Sequence, residues 1–558
     1  MKDANFLNLI NEPQLKSKSG RYLLNLSGKF YNHDCEKFLD IIENNGLKEA
    51  LNSTKGKFSL AVYDTKERTV YLARDRVGEK SLYYGFVNGT FVFCPELNQI
   101  KAIKGFNNPI NTDILTLYFT YGYIPAPYSI YRDIHKLDAG NILEIKEPFK
   151  ESIIYPYWSI KDVASYGQSN LFKGGYPEAV DELERLLKKA IGEQMAANAP
   201  ANAPAGVFLS AGIDSSTTAA LMQSISAEKI KSFTIGMPAG GKDESVYAKK
   251  IAAHLGLEHI EHFISEQEAI AIIPLLGKMF GEPFADSSQI PTYLVSKIAK
   301  EQVPISLGGD AGDELFCGYN LYRSIDRFYR KLNLIPPFVR RPLKHLLLNG
   351  PIPLSPKMSI RAKLLDVNPT QLVMNLFDYD PFIHQISLTD VDVPYKYSEI
   401  EPYFLPEINH QLMLMDMLMY TPDDILVKVD RAASFAALDV RAPMLDKDVI
   451  EFAFSLPINY KRNKKEGKLI LRDILYRYVP RELMERPKQG FSVPIEKWLK
   501  GPLLRDWAEQ LLSRDTLLRQ GLLNPDTVHQ IWDSFILRDQ FKPQLWYILM
   551  FQSFMLSE

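Results

Sequence analysis

Cysteine is scarce in this chain of 558 residues. Cys35, Cys94 and Cys317 stand far apart, so neither a disulfide framework nor a thiolate zinc cluster is expected. A reduced, intracellular compartment suits such a composition. Long apolar runs are missing as well: no uninterrupted stretch would span a bilayer, and the opening Met1-Lys2-Asp3-Ala4-Asn5 lacks the apolar centre of a signal peptide. The expected location is the cytoplasm, with no membrane association. An excess of charge is absent too. A formal net charge of −2 gives no electrostatic reason to expect nucleic acid. The basic cluster Arg340-Arg341-Pro342-Leu343-Lys344 lacks the interleaved aromatics of a nucleic-acid reader. What remains, 46% hydrophobic and 24% charged, is the composition of a soluble globular enzyme long enough for more than one core.

The most telling stretch lies in the middle. Val207 to Leu209 is a short apolar run suited to a buried strand. It breaks at Ser210-Ala211-Gly212-Ile213-Asp214-Ser215-Ser216 and gives way to the helix-compatible Thr217-Thr218-Ala219-Ala220-Leu221-Met222. Strand, tight polar loop and helix in that order aim unpaired backbone N–H groups and the positive end of a helix dipole at one anion. Ser210, Ser215 and Ser216 add hydroxyl donors, and Asp214 can hold a neutralising cation. The chemistry suggested is phosphate or pyrophosphate binding, although a serine-rich turn that merely caps a buried helix would look similar.

Strand and helix then alternate: a strand over 230–236, a helix over 245–255, a helix over 293–300 and a strand over 303–307. That alternation predicts a parallel doubly wound sheet whose ligands lie at the carboxyl ends of its strands. The last of these strands runs into Gly308-Gly309-Asp310-Ala311-Gly312-Asp313-Glu314. Carboxylates packed among glycines at a buried strand end favour a Mg²⁺ site over a solvated turn. Upstream, Ala179, Val180, Leu183, Leu186, Leu187, Ala190 and Ile191 form the i, i+3, i+4, i+7 stripe of an amphipathic helix over 177–195. Ala196 to Gly206 then reads as a linker or as an ordered approach to the loop.

Residues up to about 165 have another texture. Strands are expected over 21–26, 58–64, 70–73 and 90–93, with Asn88-Gly89 as a tight hairpin turn and one helix over 35–49. This is a sheet-dominated α+β unit. Towards the C-terminus, the basic, proline-interrupted 336–366 reads as a surface excursion, and the methionines of 413–419 as core packing.

The loop at 210–216 resembles the Ser-Gly-Gly-x-Asp-Ser pyrophosphate loop of the N-type ATP pyrophosphatases, with Ala211 in place of the first glycine. If that position needs φ > 0, alanine costs about 1 kcal/mol there. Arg74-Asp75-Arg76-Val77-Gly78-Glu79-Lys80-Ser81-Leu82-Tyr83-Tyr84 resembles the signature of class II glutamine amidotransferase domains in asparagine synthetases. Gly281 to Ser288, Tyr420 to Arg431, Asp439 to Asp446, Gly467 to Arg472 and Pro487 to Phe491 are similar to later blocks of that family, in the same order. The resemblance implies an α/β protein of two domains. Residues 1–165 would be a degenerate, N-terminally truncated glutamine amidotransferase domain of Ntn type. Residues 166–558 would be an ATP pyrophosphatase-type synthetase domain with a helical C-terminal part.

The same resemblance implies the roles. ATP would lie with its adenine on backbone near Leu209 and Ile235 and its phosphates on Ser210, Ala211, Gly212, Ser215, Ser216, Gly308 and Gly309. Asp214 and Asp313 would hold Mg²⁺, Lys468 would meet the α-phosphate, and Asp310 would face the acyl substrate. Without the resemblance, Lys468 is a helix-start lysine in a basic loop with Lys464 and Lys465. The implied reaction converts aspartate to asparagine through β-aspartyl-AMP, releasing pyrophosphate and AMP. Glutamine chemistry is expected to be lost. The family begins Met-Cys-Gly, whereas here no cysteine precedes Cys35, and Ser27-Gly28 and Asp34 are the remnant of the glutamine site. Ammonia is therefore the expected nitrogen source, with glutamine a further candidate and a homodimer left open. Two other readings stay open: an amide ligase for another acid or amine, and a non-catalytic nucleotide-binding protein.

Overall fold

The computed structural model describes residues 14–197, 204–236, 244–350, 358, 362–367, 382–389, 391, 393, 405, 407–484 and 493–557. The first residues of the chain, most of the 196–206 connection, much of the basic excursion past 350 and the Pro487–Phe491 block lie outside them. Among the described residues no helix is long and apolar enough to cross a membrane.

The N-terminal part is built from β1 (Leu15–Lys16), β2 (Tyr22–Phe30), β3 (Gly56–Asp64), β4 (Thr69–Arg74), β5 (Tyr83–Val87), β6 (Thr90–Cys94), β7 (Ile134–Lys136), β8 (Asn141–Lys146) and β9 (Ser152–Pro156). One antiparallel sheet has the order β1-β2-β3-β4-β8-β9, and a smaller one the order β6-β5-β7. β3 is buried along nearly its whole length because both its faces are covered. Phe58, Leu60 and Val62 pack with Phe38, Leu39, Ile42 and Leu51 of a helix pair, while Ala61 and Tyr63 pack with Leu82, Tyr84, Phe91 and Phe93 from the smaller sheet. The helix expected over 35–49 is that pair, Cys35–Asn45 and Leu47–Ser53, broken at Gly46 with φ 88°. Asn88 and Gly89 both have positive φ, the hairpin geometry their sequence foretold.

The second sheet is parallel, with the order β12-β11-β10-β13-β14. Its strands are β10 (Ala205–Phe208), β11 (Lys231–Gly236), β12 (Glu258–Phe263), β13 (Ile305–Leu307) and β14 (Asp439–Arg441). β10 comes first in the chain, and later strands add to both its sides, so the winding reverses between β10 and β13, where Val207 lies opposite Leu307. A crevice opens at the strand ends of such a switch point. The polar edge strand β12 and the three-residue β14 carry too little apolar pattern to be read in advance. The helix Tyr176–Ala196 buries the anticipated stripe, and Met413, Met415, Met417 and Met419 are core.

The two parts meet across lysines. Lys57 Nζ pairs with Asp439 at 2.5 Å, Lys80 with Asp430 at 2.5 Å, Lys55 with Asp446 at 3.0 Å and Asp448 at 2.7 Å, and Lys136 with Glu282. In each of these the β-rich part supplies the cation. A more exposed pair, Arg431 with Glu96 at 3.8 Å, runs the other way.

One core residue carries a charge with little to meet it. Lys461 is 0% exposed, its Nζ 3.9 Å from Met413 Sδ and 5.5 Å from the Phe454 ring centroid. Burial drives its pKa down to about 7. Below that pH the ammonium is charged in folded and unfolded chain alike, and the folded state bears the whole desolvation cost. Between about 7 and 10.5 only the unfolded chain holds the proton, which counts against the folded state less and less, so this group's contribution to stability rises with pH. Lys461→Met keeps the volume and removes the charge. It is expected to stabilise the protein by a few kcal/mol, on the order of the shift, below about pH 7. Urea unfolding of both proteins across the pH range should show the gain shrinking towards pH 10.5.

Candidate active site

A cavity of ≈ 1120 Å³ fills the crevice beyond β10 and β13. Its floor is the loop after β10. Gly212 caps the helix Ile213–Ile225, so the N-terminal amides of that helix face the cavity. Ser210 N–H donates to Ser215 Oγ at 3.1 Å, and the two hydroxyls lie 3.0 Å apart, which closes the loop into a cup. Such a cup of amides and hydroxyls at a helix start suits phosphate oxygens.

Ala211 has φ +55° and Ala311, in the facing loop, φ +75°. Both are left-handed positions, and at the first of them the loop it resembles has glycine. Both methyl groups are buried in the main core, and burying a CH₂-sized group is worth about 0.8 kcal/mol, which offsets most of the backbone cost. Ala211→Gly is accordingly expected to leave the melting temperature nearly unchanged. Ala211→Val, with a branched Cβ at positive φ, is expected to lose more than about 2 kcal/mol; thermal unfolding of both variants checks this.

The acidic loop after β13 brings Asp313 against Asp214, and both close on one ammonium. Lys468 Nζ is 2.7 Å from Asp313 Oδ1 and also paired with Asp214 Oδ2. Lys468 is only 6% exposed. Burial works against its charge, but the two carboxylates overcome this and hold its pKa above the ordinary lysine value. Its backbone is fixed on both sides: its N–H donates to Phe316 C=O at 2.9 Å, and its C=O accepts from Arg472 N–H at 2.9 Å. The sequence reading of a helix-start lysine holds as well, since Lys468 precedes the helix Leu469–Leu475 with φ +57°. Gly318 allows the approach, because a Cβ there would overlap Asp313 Oδ1 and Lys468 Cε.

Across the cavity, Lys428 Nζ meets Asp286 Oδ2 at 2.6 Å, and Asp286 also accepts from Ser288 N–H at 2.9 Å. Asp310 lines the same wall. Burial raises its pKa, and the nearby Lys428 counters part of that rise. Asp310 also lines a smaller cavity of ≈ 310 Å³ at the junction with the β-rich part, together with Gly28, Lys57, Glu79 and Lys80. Burial and the neighbouring Asp313 push Glu314 up to about 8.

Of the residues expected at the nucleotide, Leu209, Ser210, Ala211, Gly212, Asp214, Ser215, Ile235, Gly308, Gly309, Asp310, Asp313 and Lys468 all line the large cavity. Ser216 is the exception: it is buried on the inner side of its helix and is not among the lining residues. Leu209 N–H is taken by Phe233 C=O at 2.9 Å, and its carbonyl accepts from the Thr234 hydroxyl. Lys428 and Asp286 were not singled out from the sequence, although Asp424 and Lys428 stand at helical i, i+4 spacing.

No group of three or more His, Cys, Asp or Glu side chains able to hold a metal occurs among the described residues. Asp214 and Asp313 nevertheless fit Mg²⁺. Both present hard oxygens at one point beside a phosphate cup, and Mg²⁺ commonly takes one or two carboxylates and completes its shell with water and substrate phosphate.

The residues expected as a glutamine-site remnant lie on β2 and at the start of the helix that follows it. Gly28 sits in β2 against Phe58, where a Cβ would overlap the Lys57 carbonyl, and it lines the junction cavity. Ser27 neighbours it in the strand, but the Asp34 carboxylate is spent as a helix cap, accepting Lys37 N–H at 2.8 Å. Burial raises all three thiols, Cys94 to about 11 and Cys317 to about 12.

Residues 182–556 match the model of the asparagine synthase family, and residues 11–158 match that of a glutamine amidotransferase domain. Asparagine synthetase [glutamine-hydrolyzing] 1 of Bacillus subtilis is 29% identical over 84% of this chain and 72% of its own length. A putative asparagine synthetase [glutamine-hydrolyzing] 2 of Methanocaldococcus jannaschii is 31% identical over 72% of this chain and 76% of its own. A putative asparagine synthetase [glutamine-hydrolyzing] of Mycobacterium tuberculosis is 29% identical over 82% and 70%. With two thirds of its residues matched by the first model and a cup, two aspartates and a lysine gathered at its switch point, the chain belongs to the asparagine synthase family.

Proposed function

We propose that this chain makes asparagine from aspartate and ammonia at the expense of ATP, through β-aspartyl-AMP. ATP-dependent amide synthesis follows from the family. The substrate, the intermediate and the nitrogen source are our reading. The observation that carries it is the Lys468 ammonium poised between Asp214 and Asp313 at the mouth of the phosphate cup.

In this reading the cup at Ser210–Ser215 takes the pyrophosphate portion of ATP on its N–H and hydroxyl donors, and the base lies between Leu209 and Ile235. Mg²⁺, when bound by Asp214 and Asp313, supplies charge neutralisation to the polyphosphate. The Lys468 ammonium stabilises the charge that builds on the α-phosphate as a carboxylate oxygen of aspartate attacks phosphorus and pyrophosphate departs. Ammonia then attacks the acyl carbon, the bond to AMP breaks, and Asp310 receives a proton from the nitrogen. The burial-raised pKa of Asp310 suits it to that exchange. Residues 1–165 would serve as cover for this site more than as a glutaminase. The three thiols, none of them activated towards thiolate, support ammonia over glutamine.

Pyrophosphate release from Mg-ATP and aspartate, with ammonium or glutamine, tests this. Release with ammonium and not with glutamine is the expected result. Equal release with glutamine overturns the nitrogen assignment, and none with either overturns aspartate as the acid. A second reading, an amide ligase for a larger amine, is favoured by one observation: a further cavity joins the first.

A further inference from the structure

That cavity, ≈ 730 Å³, lies against the large one, and Asp286, Ser287 and Tyr420 line both. Ammonia needs no such space, since a water-sized molecule occupies about 30 Å³. The volume is that of a site for an organic molecule. Its walls are aromatic, with Tyr121, Tyr123, Tyr420, Phe541, Trp546 and Tyr547. They are also acidic. Asp286, Asp416, Asp424 and Glu496 line it, and the one lysine among its described lining residues, Lys497, is exposed. Lys428 nearby is engaged by Asp286 at 2.6 Å.

Asp424 is the focus. It is 7% exposed, and its Oδ1 has no hydrogen-bond partner among the described residues. Burial holds its pKa well above the carboxylate range, Asp286 adds to the rise both as a charge and through a side-chain hydrogen bond, and the countering Lys428 is committed to Asp286. A buried carboxyl left in this way is costly, and an N–H donor or ammonium relieves it. Trp546, 3% exposed, likewise has an Nε1 without a partner among the described residues. An acidic wall repels a second carboxylate, while aromatic faces and a carboxyl together attract an alkylammonium.

We propose that this cavity binds a primary amine with an aromatic or branched apolar body, its nitrogen held by Asp424, as nitrogen donor to the acyl group activated in the adjoining cavity. The inference rests on the adenylate-forming step of the reading above and develops its second form, in which a larger amine takes the place of ammonia. The amine arrives as an ammonium, gives one proton to the acidic wall, and attacks with its lone pair. The carbon–nitrogen bond forms, the carbon–oxygen bond to AMP breaks with its electron pair leaving on AMP, and the second proton passes to solvent. The product is a substituted amide.

Calorimetric titration of the full chain with 2-phenylethylamine, and separately with phenylacetate, tests the site without nucleotide. Saturable binding of the amine and none of the acid is expected. Asp424→Asn should weaken the amine at least about tenfold, and Lys497→Glu, at an exposed position, should tighten it. Preference for phenylacetate, amine binding unchanged by both substitutions, or no binding of either compound overturns the inference. In the pyrophosphate assay, 2-phenylethylamine should yield its own amide, detected by mass. Release with ammonium but no amine binding sinks this inference alone. No release with any nitrogen source sinks the adenylate reading beneath it.

Discussion

Lys468→Met is expected to lower pyrophosphate release by about a thousandfold, the scale set by removing one preorganised charge donor from a developing anion. Two effects combine. The cation that would meet the α-phosphate is gone, and Asp214 and Asp313 lose the shared ammonium that holds both carboxylates in place. Lys468→Arg should do little better. The pocket around Cε is closed by Gly318, and a planar guanidinium cannot be placed where a single Nζ now meets both carboxylates. Steady-state assays with saturating aspartate and ammonium would separate this from a binding defect, since kcat should fall more than KM rises. An arginine variant with near-normal kcat would refute the point-charge role.

Gly318→Ala should be nearly as damaging, although it adds one carbon and removes no functional group. The new Cβ would overlap Asp313 Oδ1 and Lys468 Cε, so the aspartate and lysine must part. Displacements of about 1 Å at reacting groups cost on the order of a hundredfold in rate. The fold should survive, because the overlap falls on side-chain ends at a cavity and not on packed backbone. The check is an unchanged melting temperature together with a kcat lowered about a hundredfold.

The strand–loop–helix at 205–225 and the stripe of 176–196 were legible because local chemistry and tertiary role agree there: continuous apolar residues for a strand covered on both faces, and a 3.6-residue period for a helix with one face in the core. β14 and β12 were not, since three residues or an alternation of glutamate and histidine carry no periodic signal. At the site, residues on glycine-rich loops could be named from their order, but their directions could not. Ser216 and Ser215 are neighbours in sequence, yet one helical step turns the first into the core and leaves the second at the cup. Lys428 and Asp286, 142 positions apart, meet only because the turn before the helix Gln289–Lys300 and the helix Leu426–Phe435 are brought together by tertiary packing. The aromatic cavity was illegible for the same reason, its lining being drawn from stretches as distant as Thr120 and Tyr547.

The lysine seam between the two parts bears on what the chain can lose over generations. Asp446 takes its counter-ion from Lys55 on the other part, while Asp430 and Asp439 are held from both sides, by Lys80 and Arg431 and by Lys57 and Arg441. Removing one partner of a buried pair strands the other at a cost of about 3–5 kcal/mol. A deletion that discarded the β-rich part would strand Asp446 and take one of two cations from each of Asp430 and Asp439, whatever the catalytic duty of that part. Drift can therefore erase its chemistry residue by residue while its bulk stays indispensable, held in the gene by the electrostatics of its neighbour.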